Sequence, residues 1–250
     1  MFIDTHCHLT DKYTDGIDAV VARAGDANVK MLICPTADPG DISDALRIAN
    51  QYDNIYCTIG IHPEYAPMDA EKHLTDDILN NPRVVGVGEI GLDYHYASEN
   101  RKAQIQLFEQ QLDIARKHNL PVAIHTREAE EDTAAILTGT NNGVMHCFTS
   151  SWNLAKQMLD RGFFFSASGI LTFKNADEIR ETFKKIPSDR IVIETDAPYC
   201  APVPYRGQVC EPSMVIETAR VLADIKGIEL ADLEQILMQN VQRLYPKLKI

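Results

Sequence analysis

The sequence has no run of about 18 consecutive apolar residues, so no membrane-spanning helix is expected. Its start, MFIDTHCHLT, lacks the basic stretch and apolar core of a signal peptide. Positive charge is scarce: 24 Lys and Arg against 36 Asp and Glu leave a formal charge of -12. That deficit argues against a broad footprint on duplex DNA, which takes many phosphate contacts. It leaves room for a local pocket that grips one end of a strand. No C-x-x-C pair occurs among Cys7, Cys34, Cys57, Cys147, Cys200 and Cys210. Several of these sit in apolar runs, so reduced, mostly buried thiols of a cytoplasmic protein are expected rather than a disulfide framework. Also missing is a G-x-S-x-G elbow for a nucleophilic serine. The stretch G-V-G-E-I-G does not open a helix, so it is not a dinucleotide fingerprint, and close strand packing accounts for its glycines. No linker, low-complexity tract or short repeat divides residues 1–250.

What is present is an alternation. Eight short apolar runs (MFIDTHCHL, KMLICPT, IYCTIGIHP, VVGVGEIGL, PVAIHT, GVMHCF, GFFFSAS and RIVIETDAP) are each followed by a helix-like segment. The longest such segment is ENRKAQIQLFEQQLDIARKHN, where Ile105, Phe108, Leu112 and Ala115 recur at helical spacing before Pro121 starts the next strand. The two last segments, MVIETARVLADIKG and ELADLEQILMQNVQRLY, are both helical and imply one extra helix after the eighth strand. Eight βα units in 250 residues predict an α/β fold, a single-domain (β/α)8 TIM barrel. A doubly wound sheet is the other arrangement of such units.

The histidines are distributed unevenly. His6 and His8 lie two apart in a strand-like run, so period-two geometry sends both rings one way and Cys7 the other. Alone, an H-x-H pair says little. Other strand ends add Glu89, His125, His146 and Asp196. Active sites of this barrel collect at the C-terminal strand ends. As core residues, these six polar side chains would each need a separate buried partner. Four imidazoles and two carboxylates exceed the needs of one tetrahedral zinc and suit two divalent ions that share a bridging carboxylate. Mixed N and O donors admit Zn, Mn, Co, Ni or Fe, and Mg less readily.

The ordered motifs D-T-H-C-H-L, G-E-I-G-L-D-Y, I-H-T-R-E-A, H-C-F and E-T-D-A-P-Y, with a closing N-V-Q-R-L-Y, resemble the TatD-like metal-dependent deoxyribonucleases, within the amidohydrolase-type barrels. The resemblance spans essentially the whole chain. It implies that His6, His8 and Asp196 hold one metal, that Glu89 bridges, and that His125 and His146 complete the second site. Asp196 is then also the general base, and Glu89 and Asp196 are the catalytic carboxylates. The implied substrate is DNA, single-stranded or at an end, with no membrane and no obligate protein partner. The chain departs from the family pattern in having Cys210 where Asn is usual, in a loop expected to line the pocket, and in continuing H-C-F with T-S-S.

Five further residues are candidate substrate contacts, each beside a plainer reading. His62 reaches toward the same mouth or is a hydrogen-bonded loop histidine. Arg127, in phase with His125, is expected on the interior side, clamping a phosphate or pairing with Asp4 or Glu194. Arg206 binds phosphate or is an exposed loop arginine. Tyr94 and Tyr199 stack on bases or pack under loops. Cys7 and Cys147 flank ligands but alternate away from them, which disfavours thiol catalysis. Two other functions compete with the nuclease reading. One is a related barrel hydrolase of small esters, amides or lactones. Many of those bridge their metals through a carbamylated lysine, whereas here Glu89 stands with no lysine near it. The other is a metal-binding protein without catalysis.

Overall fold

The strand-forming runs are apolar on both faces, as a parallel sheet covered on both sides demands. In the computed structural model, which describes residues 1–10, 12–96 and 98–249, they form β1 (Phe2–Asp4), β2 (Val29–Pro35), β3 (Ile55–Thr58), β4 (Val84–Asp93), β5 (Val122–Arg127), β6 (Gly143–Met145), β7 (Phe164–Ala167) and β8 (Ile191–Ile193). Neighbours pair in parallel in the order β1 to β8. The seam between first and last strands is closed by backbone bonds just beyond them: Thr5 N to Ile193 O (3.1 Å), Asp196 N to His6 O (2.9 Å) and His8 N to Ala197 O (2.6 Å). This is a (β/α)8 barrel.

The helices are α1 (Ile17–Asp26), α2 (Ile42–Gln51), α3 (Asp76–Leu79), α4 (Arg101–Lys117), α5 (Glu130–Ile136), α6 (Trp152–Asp160), α7 (Asp177–Lys185), α8 (Val215–Lys226) and α9 (Leu230–Leu244). One expectation changes here. The helix after β3 is reduced to short 3-10 turns and the single turn α3. Pro63, Pro67 and Pro82 punctuate that stretch and prevent a long helix.

Each strand sends one buried side chain inward: Ile3, Ile33, Tyr56, Val85, Ala123, Val144, Phe164 and Val192. This cluster is apolar and needs cover from water. Val241, Leu244, Tyr245 and Leu248, from α9 and the turn after it, supply it. The extra helix therefore seals the end of the barrel opposite the polar strand ends. Residues of the outer strand faces pack against the helices in a second, larger cluster that includes Leu32, Phe108, Ile124 and Phe165.

Tyr245 is fully buried, and its hydroxyl has no hydrogen-bond partner among the described residues. Its ring is therefore its contribution. Tyr245→Ala is expected to lower stability by about 3–5 kcal/mol, the cost of emptying a large aromatic site. Tyr245→Phe should hold or raise it, because an unpaired buried hydroxyl is itself unfavourable. Urea unfolding of the three proteins measures both.

Candidate metal centre

Glu89 sits on β4, its carboxylate buried among imidazoles. Oε1 is 2.8 Å from His125 Nδ1, 3.3 Å from His146 Nε2 and 3.8 Å from His62 Nε2. Oε2 is 3.5 Å from His6 Nε2. Asp196 Oδ1 lies 3.9 Å from His6 Nε2 and 3.8 Å from His8 Nε2. The His6 and His146 rings stack at 3.6 Å. All six side chains singled out as ligands thus converge at one end of the barrel. Their donor atoms form overlapping groups, among them His6–His8–Glu89, Glu89–His125–His146 and His6–His146–Asp196, each compact enough for an ion.

Local backbone explains the convergence. Gly91 has φ of 145°, and a Cβ there would lie 1.9 Å from His125 O; a Cβ on Gly88 would lie 2.6 Å from the Ala123 Cβ. Only glycine lets β4 and β5 approach this closely. Alternation carries His125 on β5 and His146 just past β6 in the inward phase of Ala123 and Val144; Asp196 shares the phase of Val192 but lies three residues past the end of β8. Alternation fails on β1. Ile3 points inward, which would turn His6 outward, but the strand ends at Asp4 and a bend at Thr5 and His6 resets the phase. Asp4 anchors that bend by accepting from His6 N (3.2 Å), Thr195 N (3.0 Å) and Thr195 Oγ1 (2.6 Å). Cys7 does turn away, its thiol toward Ile33 O.

A supporting layer surrounds the donors. Asp93 Oδ2 lies 3.0 Å from His125 Nε2, and Glu194 Oε1 lies 2.8 Å from His146 Nδ1. A carboxylate behind a ligating imidazole fixes its orientation. Asp93 was not among the predicted site residues, although its even spacing from Glu89 along β4 was a signal. Two buried glutamines, seven residues apart on one face of α4, hold the loops. Gln104 takes Asp93 N (2.8 Å) and gives to Asp93 O (2.9 Å). Gln111 does the same for Ile61 (2.8 and 3.0 Å), next to His62.

The substrate candidates separate. His62 stands in the centre, its ring 4.6 Å from that of His125, while its Nδ1 accepts from Glu64 N. Tyr199 is 54% exposed at the rim, 6.4 Å from the His8 ring, and Lys12 Nζ stacks on it at 4.2 Å. Arg127 does not face the interior. It is exposed at the last position of β5 and stacks at 4.6 Å on Tyr96, because its long stem carries the guanidinium out of the mouth. Asp4 and Glu194, its expected partners, are engaged elsewhere. Tyr94 packs under the loops, its hydroxyl on Asp132 and its ring under Arg101. Arg206 lies on the Phe173 ring at 3.7 Å. Cys210 is fully buried and does not line the mouth. A groove of about 730 Å³ also opens from His8 between α1 and α2, bordered by Asp18, Asp41 and Asp44.

Protonation follows from burial and charge. Burial lowers the pKa of His6, and pushes that of His8 down to about 3. Burial would raise the Glu89 carboxyl, but charge on His146 and the close imidazoles of His125, His146 and His6 outweigh it and hold it well below the usual range. Burial opposes protonation of His125 and His146 as well. The carboxylates of Asp93 and Glu89 nevertheless raise His125, and those of Glu194 and Glu89 raise His146. Burial pushes Asp196 well up. His6 Nε2 is buried with no hydrogen-bond partner among the described residues. An orphaned imidazole nitrogen facing two carboxylates is a donor set a divalent cation fits.

A family model described as TatD related DNase matches residues 3–246. The chain belongs to the TatD family. Among similar family members are the uncharacterized metal-dependent hydrolases YabD of Bacillus subtilis, 36% identical over 98% of this chain and 99% of that one, and YcfH of Escherichia coli, 37% identical over 97% and 95%. The crystal structure of the TatD homologue YjjV from Escherichia coli superposes with a TM-score of 0.90 at 28% identity, covering 98% of each chain. Membership and donor set agree on a metal-dependent hydrolase of the TatD family.

Without a cation, neighbouring carboxylates favour the protonated forms of His125 and His146, and burial favours that of Asp196, so cations compete with protons for these groups. Loading is expected to release protons and to weaken as the pH falls. Calorimetric titration of Mn²⁺ in two buffers of different protonation enthalpy measures this. Equal heats in both would show that these groups are already deprotonated.

Proposed function

We propose that this TatD-family protein is a metal-dependent deoxyribonuclease that hydrolyses DNA phosphodiester bonds at a strand end or on single strands, using two divalent ions. The observation that carries the reading is the position of Glu89. One oxygen faces His125 and His146 and the other faces His6. A single carboxylate so placed between two imidazole sets would suit a pair of ions. His6, His8 and Asp196 would hold one ion, and His125 and His146 the other, with Glu89 available to both. Zn, Mn, Co, Ni and Mg are all compatible with N and O donors.

When bound, the pair supplies an acidified water and neutralises charge on a phosphoryl oxygen. Asp196 lies beside the His6–His8 set and accepts the proton of the attacking water. Its carboxyl is held up by burial in the metal-free protein, and divalent charge beside it favours the ionised form. Asp93 and Glu194 keep the imidazoles of His125 and His146 aimed at the centre. Tyr199 with Lys12, and Tyr96 with Arg127, present exposed aromatic faces beside cations at the mouth. Such pairs suit stacked bases with a phosphate nearby. The groove beside His8 carries three aspartates against the single Arg47, which disfavours a polyanion, so the strand enters from the tyrosine side. The net charge of -12 fits a short, end-on contact.

Incubation with end-labelled single- and double-stranded oligonucleotides is expected to give metal-dependent nucleotide release that chelation abolishes. Asp196→Asn should lower kcat about 10²–10⁴-fold, the range for loss of a general base, with bound metal counted in parallel. Turnover of a lactone, amide or carboxylic ester by the loaded enzyme, with every oligonucleotide left intact, would overturn the phosphodiester reading.

A further inference from the structure

Asp196 turns its two oxygens in different directions. Oδ1 faces His6 and His8, and Oδ2 lies 3.6 Å from the Sγ of Cys200. The thiol of Cys147 completes this second side. One carboxylate oxygen and the two sulfurs lie within 4.8 Å of one another, and all three residues are half-buried, within reach of small solutes. Alternation along the strand had pointed Cys147 away from His146. It does turn from the imidazole centre, but toward Asp196 rather than into packing.

The backbone is committed to this arrangement. Cys147, Asp196 and Cys200 all have left-handed φ, of 40°, 57° and 52°. That region is disfavoured for residues with a Cβ and persists only where contacts enforce it. Here Glu194 Oε1 accepts from Cys147 N at 2.8 Å, and His6 O accepts from Asp196 N at 2.9 Å. Gly169 leaves room for the turn at Cys200, since a Cβ there would lie 2.0 Å from Cys200 O. Ser168 Oγ stands 3.1 Å from the Cys147 sulfur, placed to donate to it once it is a thiolate.

We propose that Cys147, Cys200 and the Oδ2 of Asp196 form a separate binding site for a thiophilic divalent cation, of the zinc or cadmium class, that shares Asp196 with the hydrolytic centre. Two thiolates on one tetrahedral zinc stand about 3.8 Å apart, given Zn–S bonds of about 2.3 Å. Small side-chain rotations therefore close the observed set. Binding releases the two thiol protons. Soft sulfur donors prefer Zn²⁺ or Cd²⁺ over Mn²⁺ or Mg²⁺, so the site responds to a different cation from one held by nitrogen and oxygen alone. A cation there draws Asp196 Oδ2 toward sulfur and takes the carboxylate from the water it deprotonates. Excess thiophilic metal is thereby inhibitory. This consequence rests on the proposed role of Asp196; the binding itself does not.

The test adds Cd²⁺ to the manganese-loaded enzyme and follows the ultraviolet sulfur-to-cadmium charge-transfer band, which nitrogen and oxygen ligands do not produce. The expected result is a saturable band that falls sharply in Cys200→Ser and in Cys147→Ser. It should persist in Cys34→Ser, which alters the buried thiol close to Cys7. A band that is absent, or that survives both of the first two substitutions, overturns the proposal. The unsubstituted enzyme gives an independent reading. Cd²⁺ should slow iodoacetamide alkylation of Cys147 and Cys200, located by peptide mass spectrometry, and unchanged rates at both count against the site. Neither readout uses a nucleic-acid substrate, so failure here and failure of the nuclease reading are distinguishable.

Discussion

The buried carboxylate of Glu89 is the constraint around which the upper half of this barrel is arranged. A charged group with so little exposure is costly unless surrounded by partners. Four imidazoles, from His6, His62, His125 and His146, supply them, each from a different strand end. Glycines at 88 and 91 bring β5 close enough for His125 to reach. The barrel seam closes through the backbone of His6, His8, Asp196 and Ala197, so the same segments that complete the sheet also deliver donors. The closure of the fold and the assembly of the site are one event at this end.

The opposite end solves a different problem. Eight inward apolar side chains, one per strand, fill the barrel, and Tyr245 with its neighbours after α9 closes it. The two ends divide the labour usual in this architecture: an apolar plug for stability, and a polar rim for chemistry. Between them the support is made of neutral amides and carboxylates. Gln104 and Gln111 each satisfy both backbone groups of one residue, Asp93 at the end of β4 and Ile61 in the loop after β3, which spares these positions an unpaired buried donor or acceptor. Asp4, Asp93 and Glu194 do for the histidines what the glutamines do for the backbone.

Much of this was legible from residue order. Eight apolar runs and their spacing specify the barrel, and polar residues stranded at the ends of those runs mark the site. Period-two phase places His125 and His146 correctly because β5 and β6 stay regular up to or next to them, and Asp196 falls in phase although it lies past the end of β8. The same phase misplaces two features, each for a local reason. At the last position of β5, a long flexible stem takes Arg127 to solvent and onto Tyr96. A left-handed turn swings Cys147 toward Asp196. Asp93 was overlooked because a carboxylate at a strand end is common, and its pairing with His125 is a contact between strands.

The sequence by itself determined the architecture, the convergence of six donor residues at one end of the barrel, and the scarcity of positive charge. These follow from periodicity and composition, which are properties of a linear chain. Only the tertiary structure decided which oxygen of Glu89 faces which imidazole, which aromatic and cationic side chains pair at the rim, and that two thiols stand against the far side of Asp196. Such facts depend on the rotation of side chains and the approach of segments distant in sequence. Those are set by packing density and hydrogen-bond closure in three dimensions, where a bend of one residue changes what a side chain meets.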